Sequence, residues 1–311
     1  MNSPKQPESL YNGFIKTLVE KRVDNVADLI NKIIDNNSPM NITKKLEQVD
    51  RLKGWLDSFR PLSPDVVAEL KKNYDVKFTY NSNAIEGNTL TQSETELVLE
   101  KGMTIGGKSL TEHLEAVGHK EAIDFIEDLA DKNTIITERE IRDIHHLILR
   151  SIDREAAGSY RTLDVRAAGT GKIYPPHFRI HELMNDFIER LNSDETRNLH
   201  PIELATEIHY RFVSIHPFKD GNGRTARLLM NLCLLRHGYP VAVLKNELRS
   251  EYIQSLVFAQ DNQDDTCKLM ELVTDSCKES LIEYLQVIST AASSEDKGKE
   301  FYEEMQGYLS K

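Results

Sequence analysis

Apolar side chains recur at helical spacing along most of the chain, and this pattern predicts a mainly α fold. Between residues 8 and 60, two stretches place apolar residues three or four positions apart, as amphipathic helices do. Ser63-Pro64-Asp65 is a strong helix start, because the serine hydroxyl can accept an unpaired N–H and proline suits the first helical position. The helix that begins there is predicted to stop at Gly87-Asn88, since both residues tolerate positive φ.

The segment GSYRTLDVRAAGTGKIYPPH at 158–177 departs from this pattern. It contains glycines, prolines and β-forming residues without a helical period, so it is the best β-hairpin candidate in the chain. Helical spacing returns near residue 181 and continues to a charged tail that begins near residue 294. The predicted fold is therefore mainly α, a helical bundle with one β-hairpin.

Composition and charge exclude several classes of protein. The 311 residues are enough for one large domain or two modest ones. Lys and Arg number 39 against 50 Asp and Glu, and the resulting net charge of −11 repels phosphate backbones and anionic membranes. We therefore expect no nucleic-acid partner and no membrane partner.

Cysteine usage and hydropathy bear on the compartment. The three cysteines, Cys233, Cys267 and Cys277, lack CxxC spacing and indicate reduced thiols rather than a disulfide framework. No apolar run reaches the roughly 18 residues of a membrane span. The first residues also lack the basic and apolar stretches of a secretory signal. These features predict a cytoplasmic protein.

The richest chemistry lies in one twelve-residue segment, HPFKDGNGRTAR at 216–227. Its turn Gly221-Asn222-Gly223 opens a predicted helix over 223–237, so unpaired N–H groups and the helix dipole form a seat for an anion there. Arg224 and Arg227 fall on one face of that helix and can clamp further phosphate oxygens. The segment therefore predicts a polyphosphate site.

Two titratable side chains complete this segment. Asp220 is a hard oxygen ligand that suits Mg²⁺ beside phosphates, and His216 can remove a proton from an attacking hydroxyl near neutral pH. A lone histidine before proline is most often a loop residue, and a lone Gly-x-Gly is most often a turn. Four functional residue types that lead into one helix start favour a functional site.

The same segment fits the Fic signature HPFx(D/E)GNGRxxR at every defined position, and the chain resembles the Fic family over roughly residues 75–275. Gly158-Ser159-Tyr160-Arg161 and Pro175-Pro176 are similar to the family's flap hairpin. The resemblance implies a Fic-type helical bundle core. It divides the chain into an N-terminal helical region at 1–135, a Fic domain at 136–275 and a C-terminal helical tail at 276–311.

The resemblance implies transfer of AMP from ATP to a Ser, Thr or Tyr hydroxyl of a target protein, which is a nucleotidyltransferase reaction that releases pyrophosphate. His216 would be the general base, Asp220 would hold Mg²⁺, and the N–H groups of Gly221-Asn222-Gly223 would stabilise the transferring phosphoryl group. Arg224 would contact the β-phosphate and Arg227 the γ-phosphate. The adenosine would lie against Asn231, Tyr252, Ile253 and Gln260.

The flap would position the target protein, which is the chain itself or another protein. Its strand would be extended by the target's main chain, so that the hydroxyl points at His216. The alternative is an ordinary structural hairpin. The flap residues are Val165, Arg166, Ala167 and Ala168.

A second motif suggests a built-in inhibitor. Ser82-Asn83-Ala84-Ile85-Glu86-Gly87, at 82–87, matches the (S/T)xxxE(G/N) inhibitory motif that precedes the core in one class of Fic proteins. At a helix end, Glu86 can form a salt bridge with Arg227 and take the place of the γ-phosphate. Ser82, one helical turn earlier, would help to orient Glu86, while the alternative for Glu86 is a solvated helix-end acid.

Other functions compete with this interpretation. Some family members with the inhibitory glutamate also remove AMP, so a de-AMPylase or a bifunctional enzyme is an open alternative. Gly102–Ser109 satisfies the P-loop pattern GxxxxGK(S/T), but the residues before it have helical spacing, whereas a P-loop NTPase needs a strand there. A non-enzymatic interaction module is a third hypothesis, and a homodimer whose interface relieves the inhibition is a further expectation.

Overall fold

The computed structural model describes residues 42–132, 135–166, 171 and 173–292. These residues divide into two compact units. The smaller unit contains residues 42–73 and 274–292, and within it Lys45 Nζ lies 2.8 Å from Asp275 Oδ2. The larger unit, Tyr74–Val273, contains all of the predicted site residues that the structure describes.

Helices form nearly all of the regular structure in the described part of the chain, as the periodicity predicts. Short 3₁₀ turns lie at His177–Arg179, Thr196–Asn198 and Asn246–Leu248. The helices are α1 (Ile42–Ser58), α2 (Pro64–Ile85), α3 (Gln92–Lys101), α4 (Leu110–Lys132), α5 (Glu138–Leu149), α6 (Ile180–Leu191), α7 (Pro201–Ile215), α8 (Asn222–Arg236), α9 (Arg249–Asp261) and α10 (Cys267–Ala292).

Helix α8 is the centre of the larger unit. It is buried from Arg224 to Leu234, and it contacts α4, α5 and α7. A helix that is buried on every side needs apolar residues all round, and Leu228, Leu229 and Met230, which point in three different directions, are at most 1% exposed. Burial of each such leucine contributes about 1.5–3 kcal/mol. The core thus holds the N-terminal end of α8 in place.

Helix α2 carries the second motif to this centre. It begins at Pro64, one residue after the predicted capping serine, and it ends at Ile85. Gly87 then has a φ of 103°, a conformation that side chains with a Cβ rarely adopt, and the Asn88 N–H donates to the carbonyl of Asn83 at 3.1 Å. The predicted start and stop of this helix are confirmed.

The flap hairpin predicted over 158–177 is not confirmed. Among the described residues of this segment, the pairing consists of one antiparallel bridge between Arg166 and Ile173 and a 3.3 Å hydrogen bond from the Tyr174 N–H to the Val165 carbonyl. Pro175-Pro176 have no N–H to continue a ladder. Ala167 and Ala168, which were predicted as flap residues, lie outside the residues that the structure describes.

The P-loop alternative is wrong. Gly102–Ser109 follows helix α3 and precedes helix α4, so the buried strand that a P-loop needs before it is replaced by a helix. Thr91 caps α3 with a capping box that includes Glu94. Gly102 ends α3 in a left-handed conformation with φ 61°. The glycines therefore serve a helix end and the turn between two helices.

Two other expectations concern the ends of the chain and the membrane. The amphipathic pattern before residue 42 and the charged tail after residue 292 lie outside the described residues. Within the part of the chain that is described, no helix combines the length and the apolar character that crossing a bilayer requires.

Candidate active site

The loop between α7 and α8 has a fixed backbone. Helix α7 ends at Ile215, and His216 turns the chain in a left-handed conformation with φ 53° while its N–H donates to the Phe212 carbonyl at 3.0 Å. The Asn222 side chain closes the loop, because its Oδ1 accepts from the Phe218 N–H and its Nδ2 donates to the Phe218 carbonyl, both at 2.9 Å. These bonds set the positions of the residues between them.

The first turn of α8 presents backbone N–H groups as predicted. Gly221, with φ 73°, precedes the helix and has no side chain that could accept from these groups. The positive end of the helix dipole lies at the same place. Of the three residues of this turn, Gly221 already donates its N–H to Asp220 Oδ1, so the geometry suits an anion at the N–H groups of Asn222 and Gly223, and binding of an anion there stays a prediction.

Both predicted phosphate arginines are buried beside this turn. Arg224 is 2% exposed and Arg227 is 1% exposed. The buried donors Arg224 Nε and Arg227 Nη1 have no hydrogen-bond acceptor among the described residues. Donors of this kind fit an anionic ligand, because leaving them unsatisfied is costly.

Glu86 pairs with Arg227, as the second motif predicts. Glu86 Oε1 lies 2.7 Å from Arg227 Nη2, and a Cβ added to Gly223 would collide with the same oxygen. The carboxylate thus lies against the anion seat as well as against the arginine. Burial would raise the pKa of Glu86, but the charge and hydrogen bond of Arg227 outweigh it, so the pKa is below its ordinary value.

Ser82 contacts the arginine rather than Glu86. Its hydroxyl accepts from Arg227 Nε at 3.0 Å, and its carbonyl accepts from Arg227 Nη2 at 2.7 Å. The expected help in orienting Glu86 is therefore exerted through Arg227.

A third acid, Glu115 of α4, was not predicted. Its Oε1 lies 3.1 Å from Arg224 Nη1, and its Oε2 accepts from Asn88 Nδ2 at 2.8 Å. Asn88 comes two residues after Glu86, so Glu115 joins the second arginine to the end of the inhibitory motif. No short motif contains Glu115, which is why sequence reasoning missed it.

His216 is half-buried against Tyr174. The two ring centroids are 3.8 Å apart with planes 11° from parallel. His216 Nδ1 lies 3.3 Å from the Val213 carbonyl, which can only accept, so Nδ1 carries the proton and Nε2 keeps its lone pair. Burial lowers the pKa of His216 to about 4, with the hydrogen bond to Val213 opposing this effect. The imidazole is therefore neutral at physiological pH.

Asp220 fits the role of a magnesium ligand. Its side chain is 72% exposed beside the anion seat, Oδ1 accepts from the Gly221 N–H at 2.6 Å, and Oδ2 lies 3.4 Å from Arg224 Nη2. Within the described residues, no group of three or more His, Cys, Asp or Glu side chains could hold a metal ion by itself. One exposed carboxylate suits Mg²⁺, which keeps several waters and binds substrate phosphates.

The residues predicted to contact adenosine differ in exposure. Asn231 is 0% exposed, and its side chain bonds to the backbone of Ala242 in both directions, at 3.0 and 2.7 Å. Tyr252 is 4% exposed, its hydroxyl lies 2.9 Å from His209 Nε2, and Arg227 lies over its ring at 5.9 Å. Ile253 and Gln260 are half-buried on α9. Contact of these four residues with adenosine stays a prediction.

The fold and this loop define a helical protein whose central helix begins beside two buried arginines, and comparison with known proteins gives the family. The profile of the Fic/DOC family matches residues 135–234. A Fic domain containing signaling protein from Bacteroides thetaiotaomicron is 31% identical, with a TM-score of 0.71 over 79% of this chain and 97% of that one. The chain belongs to the Fic/DOC family, and its mainly α architecture is the Fic fold, as predicted.

Other relatives agree with this assignment. Fic-1 (aa134–508) from Caenorhabditis elegans is 34% identical, with a TM-score of 0.70 over 79% of this chain and 71% of that one. The protein named "Protein adenylyltransferase Fic" in Culex quinquefasciatus is 34% identical over 247 residues, 79% of this chain and 48% of that protein. The chain thus spans about half the length of the curated relatives it matches.

Proposed function

We propose that this protein transfers AMP from ATP to a hydroxyl side chain of a protein target, and that Glu86 inhibits the transfer. The observation that carries the proposal is the Glu86 carboxylate, which lies 2.7 Å from the buried Arg227 against the first turn of α8. A seat for phosphates that an acid of the same chain occupies is the expected resting state of an inhibited nucleotidyltransferase. Relatives named protein adenylyltransferase support the reaction type.

His216 acts as the general base in this mechanism. Its Nε2 lone pair takes the proton of the target hydroxyl while the hydroxyl oxygen attacks the α-phosphorus of ATP. The new O–P bond forms as the bond from the α-phosphorus to the bridging oxygen breaks, and that oxygen leaves with pyrophosphate. The low pKa of His216, lowered by burial to about 4, keeps the base unprotonated before the reaction.

The start of α8 stabilises the charge that develops in this step. Its N–H groups face the transferring phosphoryl group, while Arg224 and Arg227 bind the β- and γ-phosphates with forked donors. Asp220 would hold Mg²⁺, which when bound would neutralise charge on the phosphates. Glu86 opposes this arrangement, because its pairing with Arg227 denies the γ-phosphate its partner and misaligns ATP for in-line attack.

The proposal includes the organisation of the chain. We assign catalysis to residues 136–275, inhibition to the 1–135 region through 82–87, and a helical tail to 276–311. The flap around Val165 and Arg166 would hold the target's main chain. The cysteine usage supports a cytoplasmic location, and a homodimer is a further part of the proposal.

Mass spectrometry of cells that express matched variants tests the reaction. Glu86→Gly should produce peptides that carry one added AMP on Ser, Thr or Tyr, and Glu86→Gly/His216→Ala should produce none. A lack of AMP-modified peptides with Glu86→Gly, at equal expression, would count against the proposal. Incubation of the modified proteins with the native chain tests the alternative, because release of AMP there would identify a bifunctional enzyme.

A further inference from the structure

His145 of α5 is a buried histidine that no motif of the sequence includes. It is 0% exposed, and its two ring nitrogens bond to backbone groups of two different segments. Nε2 lies 2.9 Å from the Asp220 carbonyl, and Nδ1 lies 2.9 Å from the backbone nitrogen of Gly158.

These two partners determine the protonation state of the ring. The Asp220 carbonyl can only accept a hydrogen bond and the Gly158 N–H can only donate one, so Nε2 carries the proton and Nδ1 is unprotonated. The ring thus satisfies a carbonyl and an N–H at once.

The hydrogen bond between His145 and the Asp220 carbonyl connects the ring to the proposed phosphate seat at the start of α8. Asp220 immediately precedes Gly221, and a Cβ at Gly221 would lie 3.2 Å from His145 Nε2, so the ring supports the turn directly. The ring also stacks on Phe218, with centroids 3.5 Å apart and planes 2° from parallel. The backbone from Phe218 to Gly221 therefore rests on His145.

The hydrogen bond from Gly158 joins His145 to the first residues of the segment 158–177, which is called the flap segment here. Gly158 leads into Tyr160, which forms an antiparallel bridge with Phe218, and the Arg161 N–H donates to the Pro217 carbonyl at 3.0 Å. The Arg161 side chain then donates from Nε to the His216 carbonyl at 2.8 Å. The chain that starts at Gly158 thus borders the residue proposed as the base.

We propose that His145 is a positioning residue that holds the phosphate seat and the base of the flap segment in one fixed relation. The inference rests on the proposed function for its consequence, which is alignment of the attacking hydroxyl with the α-phosphate. A displacement of about 1 Å can reduce a rate about 100-fold. Loss of His145 should therefore lower kcat for AMP transfer while the KM for ATP changes little, because Arg224 and Arg227 stay in place.

The kinetic test compares two variants in the Glu86→Gly background. His145→Phe keeps a flat ring on Phe218 but loses both hydrogen bonds, and we expect kcat to fall about 10- to 100-fold with the KM for ATP within threefold. His145→Gln keeps one donor and one acceptor and should recover most of kcat. If His145→Phe does not fold, His145→Asn replaces it, since the shorter amide cannot span both partners and should be tenfold slower than Gln.

His113 provides a matched control outside the site. It is also buried, at 8% exposure, and it accepts from the Ile105 N–H at 2.8 Å while its other ring nitrogen lies 2.7 Å from the Ser109 carbonyl. His113→Phe loses the same kind of bonds, so a general loss of stability would slow both variants alike. Unchanged kcat in His145→Phe, equal losses in both variants, or no recovery with Gln would overturn the proposal.

Hydrogen exchange tests the positioning without any catalysis. In His145→Phe, exchange should accelerate at the Gly158 amide and, together with it, at the Phe218 and Thr225 amides, which are hydrogen-bonded within the loop. His113→Phe should affect residues near 105–109 only. Unchanged protection at both places in His145→Phe would contradict the inference even if the protein transfers no AMP. Failure of AMP transfer in Glu86→Gly with native His145 would instead contradict the proposed function.

Discussion

Single acidic side chains balance the buried charges of the site, and Glu115 is the clearest example. Arg224 is 2% exposed, so its charge needs a partner inside the protein, and the Glu115 side chain, 19% exposed, provides one. Without Glu115 the buried charge keeps only the exposed Asp220, whose Oδ2 lies 3.4 Å from Arg224 Nη2, and this loss is worse than losing a pair at the surface.

Removal of Glu115 should therefore destabilise the protein measurably. We expect Glu115→Ala to lower the free energy of unfolding by about 1–3 kcal/mol, since a buried donor of Arg224 loses its acceptor. Glu121→Ala is the control, because Glu121 pairs with Arg150 at 2.8 Å with both side chains at least 40% exposed. Glu121→Ala should lower the free energy of unfolding by only about 0.2–1 kcal/mol. Urea unfolding of both variants measures the difference, and equal values would refute the distinction.

His216 gives a pH prediction at the same scale. Burial lowers its pKa from 6.5 to about 4, so the neutral base persists as the pH falls through 6.5 and is lost only as it approaches 4. The pH profile of kcat/KM for Glu86→Gly should therefore be flat around pH 6.5 and decline well below it. An inflection near pH 6.5 in this profile would contradict the assignment.

At the scale of elements, the proposed inhibition depends on the end of helix α2. Gly87 has a φ of 103°, and Asn88 bonds to Glu115, so the turn after the helix sets where Glu86 lies. Arg249 of α9 adds a hydrogen bond of 2.7 Å to the Ile85 carbonyl, which is favourable at the negative end of a helix dipole.

A change at this turn should weaken the inhibition without touching Glu86. Alanine at Gly87 is strained by about 1–2 kcal/mol in a left-handed conformation, so Gly87→Ala should raise basal AMP transfer severalfold. Gly54→Ala is the control, because Gly54 lies inside helix α1, where an added Cβ meets nothing within 4 Å and favours the helix. Initial rates of label transfer from ATP measure the effect, and an unchanged rate for Gly87→Ala would contradict the prediction.

Prediction from the sequence succeeded where a short segment determines its own geometry. Ser63-Pro64 and Gly87 mark the two ends of α2, and the glycine turn marks the start of α8. Contacts made by isolated residues on distant helices were not predictable. Glu115 and His145 belong to no motif, and their roles exist only once α4 and α5 pack against α8.

On the scale of the whole molecule, the chain carries a surplus of acids, and two arginines are buried at the start of α8. The net charge of −11 opposes the binding of ATP, and Arg224 and Arg227 are themselves paired with Glu115, Asp220 and Glu86, so phosphates must compete with these acids. Glu86 and Arg227 are 141 positions apart in the sequence, and their contact was predicted from the resemblance to Fic proteins. Spacing alone could not have brought them together.

The melting temperature should show whether Glu86 and the γ-phosphate of ATP compete for Arg227. A ligand that binds only the folded state stabilises it by about 2.7 kcal/mol at 100 times its Kd. ATP with Mg²⁺ should therefore raise Tm more in Glu86→Gly than in the native protein, because Arg227 is then open to the γ-phosphate. Equal shifts in both proteins would mean that Glu86 does not compete with the nucleotide.

Glu86 is proposed to restrain a nucleotidyltransferase whose general base is His216. The most direct measurement is the initial rate of label transfer from α-³²P-ATP to protein by the native chain, Glu86→Gly and Glu86→Gly/His216→Ala. We expect Glu86→Gly to be about 100-fold faster than the native chain, and the double variant to lose that activity. Equal rates for the native chain and Glu86→Gly would contradict inhibition by Glu86, and full activity without His216 would contradict its role as the base.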